Sequence, residues 1–232
     1  MLGEFLEISI ATTDILAAIR FYERLGFRQA PVGEIWQHPY AVLSDGRIAL
    51  GLHKYSFPSP ALTFVLPELR AQLDAFEQAG IAFAFRKLAE NEFNEAGFYS
   101  PDRQMVTLLE ARTYSPLHDA GASGCGYFLE YRMPSSDCTV GCGFWETLGL
   151  VTTAVQARPA QAQLARSGLN LGLHERGGVP QLVFVNEQPA ALTALLDARD
   201  IPFRQEPDYD GAPSVCIAAP DGLVLRVRER DY

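Results

Sequence analysis

Basic residues are the scarce class in this chain. Lys and Arg number 19 against 28 Asp and Glu, which leaves a formal net charge of −9. A surface of that sign repels a phosphate backbone, so nucleic acid is not an expected partner. Cysteine is equally sparse. Cys125, Cys138, Cys142 and Cys216 fall at spacings that match no zinc or redox motif. A reduced cytoplasmic protein with free thiols is expected. No apolar run reaches the roughly 18 residues of a membrane span, and none is expected. The opening MLGEFLEISI carries acids where a signal peptide carries Lys or Arg. Two catalytic signatures are missing as well. GASGCG (121–126) follows no strand and opens no helix, so it is not a phosphate loop, and no GxSxG elbow occurs.

What the chain does have is a repeat. FLEISIATTDILAAIRFYERLGF (5–27) sets against FLEYRMPSSDCTVGCGFWETLGL (128–150) without a gap. The two share Phe5/Phe128, Leu6/Leu129, Glu7/Glu130, Asp14/Asp137, Phe21/Phe144, Glu23/Glu146, Leu25/Leu148 and Gly26/Gly149. IALGLHKY (48–55) then matches LNLGLHER (169–176). ALTFVLPELRAQLDAFEQAGI (61–81) matches QLVFVNEQPAALTALLDARDI (181–201), and SPDRQMVTLLEAR (100–112) matches APDGLVLRVRER (219–230). The order is conserved throughout, which marks a tandem duplication. Residues 1–112 form the first domain, 113–123 a linker of small and polar residues, and 124–232 the second domain.

Each half repeats a smaller unit. Phe5–Ala11 reads as a strand, and Asp14 sits where a helix N-cap or first-turn acid belongs. Leu16, Ile19, Tyr22 and Leu25 recur at helical spacing, and Gly26 closes the helix. Strands over 27–34, 40–45 and 47–55 follow. The pattern restarts with a strand at 61–66, a helix carrying Leu69, Leu73 and Phe76 up to Gly80, and strands near 82–88, 95–100 and 104–110. The expected class is α+β: four βαβββ modules forming two curved eight-stranded mixed sheets. Helices cover the convex sides, and each concave side is a pocket for a small molecule.

The sequence "strand, Asp, helix, FYERLGF", with SPD…VTLLE and APDG…LRVRE, resembles the vicinal oxygen chelate superfamily. This superfamily includes glyoxalase I, bleomycin-resistance proteins, extradiol ring-cleaving dioxygenases and methylmalonyl-CoA epimerase. The resemblance spans both halves. It implies a divalent metal that is held by His and carboxylate ligands and polarises two substrate oxygens. The implied ligand positions fall at Glu7 and Glu130 on the opening strand, at Gly51 and Gly172 on the fourth strand, at Ala61 and Gln181 on the fifth, and at Thr107 and Arg226 on the last. Gly and Ala offer no ligand, and Arg226 brings a permanent cation. No metal is therefore expected, and no other cofactor.

Four residues remain as catalytic candidates: Glu7 with His53, and Glu130 with His174. Each His lies two residues past the Gly of GLH and shares its strand face. Each pair is either a base with its partner, two ligands of a degenerate metal site, or a rim His duplicated with its gene. A half-buried carboxylate needs a partner. For Glu130 the expected partners are Arg132 and Arg226, as an internal ion network or as a site for an anionic ligand. The first cavity has Ser9 and Thr107 at the equivalent places, with Trp36, Tyr40, Phe85, Phe98 and Tyr99 around it. Trp36, Tyr40, Tyr99, Arg132 and Arg226 are the ligand-binding candidates. His38 and His118 fall in loops with no partner evident.

The residues leave three functions open. One is a protein that binds or sequesters a small organic molecule, in the manner of the bleomycin-resistance members. A second is an enzyme, either a glyoxalase-like lyase or isomerase or a ring-cleaving dioxygenase that uses a degenerate site. The third is a structural module with vestigial pockets. No membrane partner is expected, and a homodimer stays open.

Overall fold

The computed structural model describes residues 1–90, 92–117, 121–158, 160–176 and 178–229; His118 lies outside them. Its first half runs β1 (Glu4–Ala11), α1 (Ile15–Arg24), β2 (Arg28–Ala30), β3 (Tyr40–Ser44), β4 (Ala49–His53), β5 (Ala61–Val65), α2 (Leu69–Gln78), β6 (Phe83–Lys87), β7 (Glu95–Tyr99) and β8 (Met105–Leu109). The second half runs β9 (Tyr127–Pro134), α3 (Cys138–Thr147), β10 (Val151–Ala157), β11 (Ala160–Arg166), β12 (Leu169–His174), β13 (Gln181–Asn186), α4 (Pro189–Ala198), β14 (Phe203–Pro207), β15 (Pro213–Ala218) and β16 (Val224–Glu229).

The repeated motif has a local cause. Asp14 accepts a hydrogen bond from the Ala17 amide at 3.0 Å, and Asp137 accepts from Thr139 at 2.8 Å and Val140 at 3.2 Å. These carboxylates satisfy amides that a helix start leaves unpaired. The Leu-Gly pair closes the same helices. Gly26 has φ +95° and Gly149 has φ +97°, a left-handed conformation that side chains resist. Phe27 N then bonds Tyr22 O at 3.0 Å, and Leu150 N bonds Trp145 O at 3.0 Å. Strand β2 is shorter than its apolar pattern predicts. It stops at Pro31, which has no amide to offer the ladder.

The two sheets have one topology. Their strand orders are β2-β3-β4-β1-β5-β8-β7-β6 and β10-β11-β12-β9-β13-β16-β15-β14. Parallel pairs β1–β4 and β5–β8 lie inside the modules, and the antiparallel pair β1–β5 joins one module to the next. The second half repeats this with β9, β12, β13 and β16.

Strand alternation sorts the side chains. Ile8, Ile10, Leu50, Leu52, Leu62 and Phe64 are buried with Ala18 and Tyr22 of α1 and with Leu25 just past its end. Glu7, Ser9, Gly51 and His53 take the opposite face. Phe98 also belongs to the helix-side core, with Phe76 and Phe83. Its expected place in the cavity is corrected by parity: Gly97 and Tyr99 hold the cavity face of β7.

The helix-side faces of both sheets merge into one core. Phe27 meets Phe184 at 6.4 Å between ring centroids, and Phe98 meets Phe144 at 6.3 Å. The SPD and APD turns add polar ties. Tyr22 donates to Asp221 at 3.0 Å, and Asp102 accepts from the Ser136 amide at 2.8 Å. The start of the composition-defined linker is also built in: Thr113 is buried, and the Tyr114 hydroxyl donates to Leu6 O at 2.8 Å.

Candidate functional site

Glu7 stands at the centre of the first concave face and is 1% exposed. A register shift between Phe5 and Glu7 lets β1 turn it inward. Its carboxylate accepts from Ser9 Oγ at 2.8 Å, Tyr40 Oη at 2.6 Å and His53 Nε2 at 3.3 Å. Ser9 continues to Thr63 at 2.7 Å, and Tyr40 to Thr113 at 2.8 Å. Burial, then the neighbouring Glu7 charge, pushes the Tyr40 phenol well above its ordinary value, so it stays a donor. The carboxyl lies over β4 where its glycine stands: a Cβ on Gly51 would overlap it.

His53 is the second link. Its Nδ1 lies 3.0 Å from Nε2 of His38, so His38 does have a partner. Sequence reading missed this because residues 31–39 fold back over the cavity, and nothing in the pattern locates a loop. The His38 ring is stacked between Trp36 at 5.6 Å and Tyr55 at 5.0 Å. Burial, then the neighbouring His53, lowers its pKa.

Around this floor is a cavity of about 1000 Å³. Its aromatic wall is Trp36, Tyr55, Phe57, Phe85, Phe93 and Tyr99, and its polar floor includes Ser9, His38, His53, Thr63 and Thr107. Of the ligand-binding candidates, Trp36 and Tyr99 line it. Tyr40 does not, because its hydroxyl is committed to Glu7 and Thr113.

The second concave face is built differently. Glu130 is held by Arg132 Nε at 2.9 Å, and Arg132 Nη1 reaches Asp208 at 2.6 Å. Arg226 bonds Gln181 at 2.9 Å, Ser214 at 2.7 Å and Glu206 at 2.8 Å, with Asp208 at 3.6 Å. The direct Glu130–Arg226 contact expected from sequence is corrected here. Both residues register on Val183 of the strand between them, which sets their backbones about two strand spacings apart, near 9.6 Å. Arg132, two residues along the same strand, takes that role instead. His174 Nε2 lies 3.9 Å from Glu130, with its ring 5.4 Å from Tyr209. Tyr209 also covers Arg132 and Arg226. The space left is about 210 Å³. Burial, then Arg132, lowers the His174 pKa to about 4. A further groove of about 1100 Å³ runs past Arg47, Tyr127, Leu129 and Val185, and holds none of the repeated Glu or His residues.

A divalent ion held as the resemblance implies would sit among Glu7, Gly51, Ala61 and Thr107, or among their counterparts in the second half. Gly51, Ala61 and Thr107 face the first cavity without a strong donor, and both Glu7 oxygens are already engaged. In the second half Arg226 occupies the last position. The donor set does not fit a divalent ion. Among the described residues no group of three His, Cys, Asp or Glu side chains is placed to hold one.

The chain is similar to solved structures along its whole length. Catechol 2,3-dioxygenase has a TM-score of 0.62 and 14% identity, over 99% of this chain and 88% of that one. Homoprotocatechuate 2,3-dioxygenase from Arthrobacter globiformis has a TM-score of 0.66 and 16% identity, over 100% and 80%. The E323L mutant of the Brevibacterium fuscum enzyme has a TM-score of 0.66 and 16% identity, over 100% and 72%. The shared property is the fold, which in this chain is a tandem pair of eight-stranded sheets built from βαβββ units. No protein-family model and no curated protein matches the chain.

Proposed function

We propose that the protein binds a small, flat organic molecule of the hydroxylated aromatic class in its first cavity, without a metal. One observation carries this reading. The first cavity is open, walled by aromatic rings and floored by hydrogen-bonding groups, whereas the second is closed by its own ion network. Aromatic walls favour stacking on a planar ligand, and a few convergent polar groups set its orientation. The similar solved structures act, by their names, on catechol and homoprotocatechuate, which supports the ligand class. They do not extend their dioxygenase activity to this chain, because its ligand positions carry Gly51, Ala61 and Thr107. A cytoplasmic setting fits the four free cysteines.

Trp36 supplies the test. Titration with catechol and simple phenols is expected to quench its fluorescence saturably and to raise the melting temperature. Trp36→Phe should remove the quench and keep the thermal shift. No shift with any member of the panel would leave the cavity vestigial. One equivalent of Fe, Mn, Ni or Zn in the purified protein would restore the metal-dependent enzyme.

A further inference from the structure

We infer that His38, His53 and Glu7 form a proton-accepting relay that holds an acidic hydroxyl ligand as its oxyanion. This rests on the first cavity being the ligand site proposed above, and it assigns that site a chemistry.

The hydrogen-bond chain sets the direction. A carboxylate only accepts, so His53 donates Nε2–H to Glu7. In the neutral imidazole Nδ1 is then an acceptor, and the Nε2 of His38 at 3.0 Å donates to it. The remaining nitrogen of His38, Nδ1, carries a lone pair. His38 lines the cavity beside the aromatic wall, and its ring stacks between Trp36 and Tyr55, which fixes its plane. A base must be neutral to work, and the lowered pKa of His38 keeps it so at neutral pH.

The step balances without a further reagent. The ligand O–H bond breaks, its electron pair stays on oxygen, and the proton joins Nδ1 of His38. The Nε2 proton of His38 passes to Nδ1 of His53. The positive charge then rests on His53 beside the buried Glu7 carboxylate. Fixed charges and dipoles in a site of low dielectric stabilise such a separation more strongly than water does. Other titratable groups face His38. Tyr55 stacks on it, Glu95 raises and Lys87 lowers its proton affinity, and Glu92 lines the same cavity. Lys87 is paired with Glu95, so that couple is close to neutral. His38 is the residue that touches the ligand. His53 and Glu7 are positioning residues.

The probe is 4-nitrocatechol, whose ionised form has its own visible absorption. Bound to the protein, its apparent pKa should fall by about one unit or more, a tenfold gain in the ratio of ionised to neutral probe. NMR should show the His53 ring becoming protonated on binding. His38→Phe retains the stacking, so it should keep binding of the neutral probe at low pH and return the bound pKa to its solution value. Glu7→Gln should shrink the shift, and circular dichroism should show both variants folded. A probe that binds with its pKa unchanged, or a shift that survives His38→Phe, overturns the relay and leaves the ligand site standing. A probe that does not bind, while other phenols raise the melting temperature, overturns the relay. No effect from any phenol overturns both.

Discussion

At the residue scale the two glycines of GLH carry more information than their size suggests. Gly51 is where the resemblance places a metal ligand, and its missing side chain makes room for the Glu7 carboxyl. Gly172 does the same for Glu130, whose carboxyl carbon would stand 2.8 Å from an added Cβ. Gly51 has no unusual φ, so its role is space and not backbone freedom. Gly51→Ala is expected to displace Glu7 from Ser9, Tyr40 and His53 and to cost about 1–3 kcal/mol, the range for overpacking a close-packed site. Glu7→Ala alone takes away the acceptor shared by Ser9, Tyr40 and His53, and it costs energy for that reason. Together the two changes should cost less than their sum, since each removes the other's clash or vacancy. Urea melts of the two single variants and the double variant decide it, and simple additivity would show that the carboxyl does not lie over Gly51.

The element that separates the two cavities is the β14–β15 connection. It carries Asp208 and Tyr209 onto Arg132 and Arg226, and Asp210 onto Arg228 at 2.6 Å. His174 is buried beneath it with Glu130, Arg132, Arg228, Asp208 and Asp210 as charged neighbours. Its pKa is lowered from 6.5 to about 4, by burial first and Arg132 second. Between those values the unfolded chain takes up a proton that the folded chain refuses. Stability therefore falls as pH drops from about 6.5 toward 4, by up to about 1.4 kcal/mol per pH unit from this group. Below about pH 4 both states are protonated and its contribution levels off. His174→Gln should flatten that part of the profile, read as urea-derived stability at pH 7 and pH 4.5 for both proteins. An unchanged slope would place the source elsewhere.

At the scale of the whole molecule, the two halves behave as one body. Phe27–Phe184, Phe98–Phe144 and Tyr22–Asp221 all cross between them, and Tyr131 donates to Gln104 at 2.7 Å. A shared apolar core makes unfolding cooperative across the repeat. Each half holds one of the chain's two tryptophans, Trp36 and Trp145. Denaturation followed through Trp36→Phe and Trp145→Phe should give coincident midpoints once each is corrected for its own stability change. Two separated transitions would mean that the core divides between the halves.

The tandem repeat, the βαβββ order and the cavity-face parity of Glu7, Gly51, His53 and Arg226 were legible in the chain itself. They depend on local rules: an Asp before a helix, a Leu-Gly stop, and alternation along a strand. A duplicated pattern states each rule twice. The tertiary structure alone decided which cavity is open and what each charged group touches. The β2–β3 connection brings His38 onto His53, and the β14–β15 connection brings Asp208 onto Arg132. These partners lie 15 and 76 residues apart, and no periodicity reports a contact made by an irregular loop. The distance between Glu130 and Arg226 was likewise set by the strand lying between them, since shared face parity does not specify proximity across a sheet.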